Sequence, residues 1–289
     1  MAPKRNNPGP QQVKYSPYAR RIKEAVSVPV STVGRIMTPE DGARLIEEGV
    51  CDFIGLGRPI LCDPDYANKV AADQVDLIRP CIMCNHGCTD AIASRRFISC
   101  VLNAENGYEY KRVITPAETP RKIAVVGGGP AGMEAARVAA LRGHDVTLYE
   151  QADRLGGQLG TAAEESSTVK PFIMEDFAAH NVVVKTNTKV DRITADAVEA
   201  TETLNPPAPT GRPGAPAPVP AADAPEPETQ AISIPCDCVV IASGTAPVTF
   251  DTAALEEHGI KVTLVGDCNG KAADINRAVE EGYLAATAA

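Results

Sequence analysis

The sequence predicts an α/β protein, and three observations carry that expectation. Apolar runs of strand length alternate with helix-period segments between residues 17 and 78; a strand, a glycine turn and a helix follow one another from Lys122; and two further strand-and-turn signals close the chain after residue 235. Such alternation is what a parallel sheet requires, because each crossover between parallel strands needs a helix to carry the chain back. The signals divide the chain into segments 1–78, 79–120, 121–204, 205–231 and 232–289.

In the first segment, Tyr18 to Val26 reads as an amphipathic helix, Val28 to Arg35 as a strand, Pro39 to Glu48 as a helix and Cys51 to Arg58 as a strand. Both strands end in the same way, Val-Gly34-Arg35 and Leu-Gly57-Arg58. A glycine that lets backbone approach a ligand, followed by a guanidinium, is the pair a phosphate needs. Turn glycines with surface arginines are the plainer alternative.

The next segment reads Arg79-Pro-Cys81-Ile-Met-Cys84-Asn-His-Gly-Cys88, with a fourth cysteine at Cys100. A tight loop supplies three thiolates and the returning chain a fourth, so Cys81, Cys84, Cys88 and Cys100 form a metal-ligand set. Four thiolates suit a [4Fe–4S] cluster. They also suit structural zinc, which usually takes two separated C-x-x-C pairs. His86 is a fifth candidate, but four cysteines complete the set and a solvated loop histidine is the simpler reading. The polar opening Met-Ala-Pro-Lys-Arg-Asn-Asn has no signal-peptide core, so a reducing, cytoplasmic compartment is expected and disulfides are the weaker alternative. The remaining cysteines, Cys51, Cys62, Cys236, Cys238 and Cys268, read as small buried hydrophobes.

From Lys122 a short apolar strand turns through Gly127, Gly129, Pro130, Ala131 and Gly132 into the helix beginning at Met133. Gly127 permits the tight turn, Gly129 admits a pyrophosphate and Gly132 lets helix and strand pack closely, while the helix N-terminus attracts phosphate. A second strand, Asp145 to Glu150, ends in an acid placed to accept from a ribose diol. An ordinary strand-end charge is the alternative. Three later pieces join these: Arg154-Leu-Gly-Gly157-Gln158, the strand and turn from Val239 to Gly244, and Val262 to Gly266-Asp267.

With those pieces in order, the chain resembles the FAD domain of the glutathione-reductase-like flavoproteins. Residues 17–160 and 235–288 together resemble the C-terminal half of the NADH:flavin oxidoreductases that carry an appended iron–sulfur and FAD module, the group of 2,4-dienoyl-CoA reductase, 2-enoate reductase and trimethylamine dehydrogenase. The resemblance implies a partial TIM-barrel end of two β/α units, with Gly34, Arg35, Gly57 and Arg58 at an FMN phosphate. It implies a [4Fe–4S] cluster on Cys81, Cys84, Cys88 and Cys100, and FAD at Gly127, Gly129, Pro130, Ala131, Gly132, Glu150, Gly157, Gln158, Gly266 and Asp267. On this reading segment 1–78 is the barrel piece, 79–120 the cluster loop and connector, and 121–204 and 232–289 the two parts of a Rossmann-like FAD domain.

The chain also departs from that family. About six further β/α units of an eight-unit barrel would precede residue 17. The expectation is therefore a chain truncated at the barrel, with no visible substrate site. Only about 75 residues lie between the fingerprint and its closing strands, with no second G-x-G-x-x-G, so the family's NAD(P)H domain is expected to be missing. Within that stretch Val182 to Ile193 alternates like an antiparallel strand pair. Asn205 to Gln230 holds nine prolines and reads as a semi-extended linker.

A net charge of −9 opposes any general attraction to nucleic acid, and with 4% aromatics and no tryptophan there is little to stack on bases. No apolar run approaches the roughly 20 residues that span a bilayer. The expected role is an iron–sulfur flavoprotein oxidoreductase, or a subunit of one, moving electrons between FAD and the cluster. A protein partner or a second copy is expected to complete the barrel, with no nucleic-acid or membrane partner. Two readings stay open beside it: a non-catalytic partner subunit holding ADP or FAD structurally, and an inactive gene fragment.

Overall fold

Helix and strand alternate near the N-terminus because apolar side chains recur at helix spacing and then collect in short runs between glycines. The computed structural model describes residues 13–157, 177, 180–194, 197–206, 227–243, 252, 261–269 and 275–288. They fall into two units, Met1–Asn106 and Gly107–Ala289.

In the first unit, α1 (Ser16–Ala25), β1 (Ser31–Thr32), α2 (Pro39–Glu47) and β2 (Phe53–Ile54) follow in order, with β1 and β2 parallel and Ser31 opposite Phe53. Helix α2 starts where the Thr38 hydroxyl accepts the Asp41 amide, with Pro39 in the first turn. Val30, Ile36, Leu45, Val50 and Cys51 form the core between these elements. Asp52 accepts from the Val30 amide at 2.7 Å and from Lys23 of α1, whose ammonium holds its carboxyl below the usual carboxylate range. The expected strands of eight residues shrink to two each. Positive φ at Gly34 and Arg35 turns the chain out of the ladder directly after β1. Short helices α3 (Arg58–Cys62), α4 (Tyr66–Ala71) and α5 (Thr89–Ala93) complete the unit.

The second unit contains β3 (Lys122–Val126), α6 (Pro130–Leu141), β4 (Asp145–Tyr149), β5 (Val183–Lys185), β6 (Thr188–Ile193), β7 (Ala197–Thr203), β8 (Thr229–Pro235), β9 (Cys238–Ile241), β10 (Lys261–Leu264) and α7 (Ile275–Thr287). Five strands form a parallel sheet in the order β10-β9-β3-β4-β5, and β6-β7-β8 form a separate antiparallel sheet. From β3 the chain crosses to β4 on one side, and β9 pairs on the other. The carboxyl end of β3 is therefore a switch point, where an α/β sheet opens a crevice. Between the sheets lie Val126, Tyr149, Ile193, Val198, Val239 and Ile241. Helix α6 buries Ala135, Ala136 and Val138, together with a paired Glu134 and Arg137.

Two sequence readings need correction. Val182 to Ile193 is not one antiparallel pair: β5 joins the parallel sheet beside β4, whereas β6 pairs with β7. Asn187 adopts positive φ between them and turns the chain from one sheet to the other. The proline-rich segment also ends earlier than expected, since Thr229 already pairs with Thr203 at the start of β8; residues 207–226 lie outside the described set. Among the described residues, no helix is long and apolar enough to cross a membrane.

Gly132 lies so close to β3 that a Cβ there would stand 1.9 Å from the Gly127 carbonyl oxygen, a backbone atom that cannot swing away. Gly132→Ala is expected to lower unfolding free energy by about 3 kcal/mol in urea titration. Gly129→Ala, whose Cβ would meet open space, is expected to stay within about 0.5 kcal/mol of the parent.

Candidate functional site

The crevice at the end of β3 is built from glycines. Gly127 has φ +105 and presses on the Ala242 carbonyl, Gly129 leads into α6 with nothing within 4 Å of its missing Cβ, and Pro130 and Ala131 open the helix. Gly157, at φ +50, places its missing Cβ 3.3 Å from the Gly129 Cα, so the loop after β4 lies against the glycine turn. Leu155 is buried beneath it, and the Gly156 amide donates to the Gly128 carbonyl at 2.8 Å. Gly266 approaches the Ala131 side chain, which brings Gly266-Asp267 to the same helix N-terminus. The sequence-predicted fingerprint residues thus converge on one crevice; Gln158 and Gly244 lie outside the described residues.

Glu150 holds this loop together. Its carboxylate accepts the Gly128 amide at 2.7 Å and the Ala152 amide at 2.8 Å. A carboxylate has about four acceptor positions, so lone pairs remain for a hydroxyl. Glu281, which the sequence reading passed over, accepts the Gly266 amide at 2.8 Å and Arg277 Nε at 2.5 Å. No local motif marks it, because only the packing of α7 on α6 brings it to the strand end.

In the first unit, Cys81, Cys84, Cys88 and Cys100 line one small cavity of about 20 Å³. Left-handed backbone at Met83 and Asn85 folds the loop between the first three. The return segment is pressed against it, since the Ser99 amide donates to the Gly87 carbonyl at 2.7 Å and a Cβ on Gly87 would lie 2.6 Å from the Ser99 oxygen. Backbone amides point at the sulfurs: Met83 N–H to Cys81 Sγ at 3.4 Å, and Leu102 and Asn103 toward Cys100. Burial pushes the Cys81 thiol up to about 11. Cys100 is held down to about 7 by a hydrogen bond from the Cys62 thiol, helped by those amides and by Arg79. Among the described residues, no three His, Cys, Asp or Glu side chains close to the spacing of a single-ion site. His86 is exposed and does not line the cavity.

Cys62 is buried as expected, yet it is more than a packing residue: it lines the same cavity. Its thiol is raised well above the ordinary range by donating to Cys100 and by burial. The sequence offered no spacing that tied it to the later motif. Cys51, Cys238 and Cys268 are buried, Cys236 is half-buried, and all nine cysteines are free thiols.

Gly34, Arg35, Gly57 and Arg58 line a second, open cavity of about 390 Å³ in the same unit. The two strand ends are brought side by side by the β1 and β2 pairing. A Cβ on Gly57 would meet nothing within 4 Å, so its backbone is open to a ligand. Arg58 Nη1 donates to Asn85 Oδ1 of the cysteine loop at 2.6 Å.

Residues 101–267 match the pyridine nucleotide-disulphide oxidoreductase family, and residues 1–76 the NADH:flavin oxidoreductase / NADH oxidase family. A bilirubin reductase from Mediterraneibacter gnavus (strain CC55_001C) is 38% identical over 94% of this chain and 57% of its own length. Its aligned stretch of 388 residues exceeds this chain's 289, so the relative carries positions with no counterpart here. An NADH oxidase from Thermoanaerobacter brockii is 36% identical over 86% of this chain and 40% of its own length. The solved structure of 6-hydroxypseudooxynicotine amine oxidase from Pseudomonas geniculata N1 has the same fold, with a TM-score of 0.61 at 18% identity, over 95% of this chain and 58% of that one. The chain spans about half the length of these proteins. It belongs to the pyridine nucleotide-disulphide oxidoreductase family, joined at its N-terminal side to a segment of the NADH:flavin oxidoreductase family that includes the dienoyl-CoA and enoate reductases.

Proposed function

We propose that the chain is the electron-transfer part of an iron–sulfur flavoprotein oxidoreductase, passing electrons between FAD and a [4Fe–4S] cluster, with an FMN phosphate held beside the cluster loop. The observation that carries this reading is the convergence of Cys81, Cys84, Cys88 and Cys100 on one cavity with backbone amides aimed at Cys81 and Cys100. The donor set fits: four thiols line one space, and amide dipoles directed at Cys81 and Cys100 offset thiolate charge. A cluster held by these cysteines would relay single electrons, and FAD held at the glycine crevice would exchange hydride.

The chain's own groups divide the remaining work. The open backbone at Gly129 and the N-terminal amides of α6 would receive the pyrophosphate, since that helix end carries partial positive charge. Glu150 would accept from the ribose, and Gly157, Gly266 and Asp267 would flank the same ligand. In the first unit Gly57 would let a phosphate approach the backbone while Arg35 and Arg58 supply charge; at Gly34 the Tyr15 ring fills the space of the missing Cβ, so that glycine would serve the turn into the cavity. Among the described residues β1 and β2 pair only with each other, and Phe53 of β2 and Val33 after β1 are exposed. We expect further strands to cover them. We expect a reducing, cytoplasmic setting for this chain.

After anaerobic reconstitution the protein is expected to contain about four irons per chain, and Cys84→Ala to lose the broad brown absorption. Stoichiometric zinc without iron would overturn the cluster assignment. Gly129→Val is expected to fold normally and lose bound FAD, because the added side chain fills the space beside the pyrophosphate. Wild-type flavin content in that variant would place the ligand elsewhere, and an adenine nucleotide without flavin would point to a non-catalytic subunit.

A further inference from the structure

Two cavities of the first unit are adjacent through one shared residue. Arg58 lines both the glycine and arginine cavity and the cysteine cavity. Its Nη1 is fixed to Asn85, between Cys84 and Cys88, at 2.6 Å. Thr89, which follows Cys88 directly, reaches the arginine cavity. A guanidinium carries five N–H donors in a rigid fork, so holding Asn85 leaves donors to aim at an anion on the other side. The charge of Arg58 also reaches the sulfurs, where it favours the anionic form of Cys81.

We infer that Arg58 couples the two cavities: an anion bound in the glycine and arginine cavity lowers the reduction potential of the thiolate-held centre, and reduction of that centre weakens the anion. The inference rests on the cluster reading above. One-electron reduction adds a negative charge beside the cysteine loop, and a bare Arg58 cation stabilises that charge. A phosphate dianion on the opposite side of the same guanidinium cancels the cation's field, so the reduced state loses support. Linkage makes the effect reciprocal, since the free energy by which the anion disfavours reduction is the one by which reduction disfavours the anion. Because Arg58 is half-buried, salt screens this pair less than it would two surface charges. In a holoenzyme the consequence is directional: a flavin whose phosphate sits on Arg58 lowers the potential of the neighbouring centre, and so favours electrons leaving the centre over electrons resting there.

The test uses the full chain, reconstituted with iron and sulfide, titrated with dithionite and followed by electron paramagnetic resonance, with inorganic phosphate or an ionic-strength-matched amount of chloride. Saturating phosphate is expected to lower the midpoint potential by about 59 mV, the equivalent of tenfold weaker phosphate binding to the reduced protein. Asn85 has φ +60, so Asn85→Gly removes its side chain without straining the turn. That variant is expected to retain iron and phosphate binding while the tenfold linkage falls below about threefold (compared by the same conversion). Arg58→Gln should abolish both phosphate binding, read by phosphorus NMR, and the shift. An unchanged potential in iron-loaded protein that binds phosphate overturns the coupling, as does a full shift in Asn85→Gly or a failure of the iron-loaded protein to bind phosphate. Absence of iron after reconstitution instead overturns the cluster reading, and the coupling with it.

Discussion

The second unit depends on the contact between α6 and the strand beneath it. Helix and sheet normally stand apart by the thickness of their side chains, but at Gly132 the helix backbone comes within reach of the Gly127 carbonyl. Gly282 repeats the device on the other side, where α7 meets the Ala131 carbonyl of α6. Two missing side chains therefore set how deep α6 sits, and with it where the first-turn amides point. The crevice for a phosphate-bearing ligand follows from backbone geometry before any side chain contributes.

In the first unit the corresponding constraint is the reversal of chain around the cysteines. Met83 and Asn85 accept left-handed backbone, which costs about 1 kcal/mol or more for residues other than glycine. The return is narrow enough that Gly87 and Ser99 touch through their backbones. Such geometry persists when something rewards it, and four sulfurs lining one space, with amides directed at Cys81 and Cys100, are the donor set of the proposed metal core. The same tightness puts Cys62 and Arg58 of α3 on the cavity wall, so the polar environment of the sulfurs comes from outside the cysteine motif.

Charge is distributed unevenly for a chain of net charge −9. The candidate nucleotide loop is tied by a carboxylate, Glu150, to two amides, and the strand end opposite is tied by Glu281 to one. Both anions stabilise backbone donors in a region whose helix dipole is positive. The arginine pair of the first unit has the opposite character, with glycine backbone and guanidinium together on one open cavity. Acidic residues organise one site and basic residues another, which net charge does not reveal.

Much of the architecture was legible in the residues. Lys122 to Leu141 announced strand, turn and helix, because close packing and positive φ restrict those positions to glycine. Cys81, Cys84 and Cys88 announced a shared cavity through spacing, since few-residue loops must bring their thiols near, whereas the Ser99 to Gly87 contact brings Cys100 to them. The alternating segment after Val182 was misread because period-two patterning shows that a strand has two faces without naming its neighbour. Only the folded chain sent β5 to the parallel sheet and β6 to the antiparallel one. Likewise Cys62, Glu281 and the Arg58 to Asn85 bond join residues 27 or more apart in two of the three cases, and each links a helix to a segment remote from it in sequence. Local chemistry determined the turns, the caps and the loop of closely spaced cysteines, because those depend on neighbours along the chain. Tertiary structure decided which strands pair and which charges face the sulfurs, because hydrogen bonds and fields act through space and leave no periodicity in the sequence.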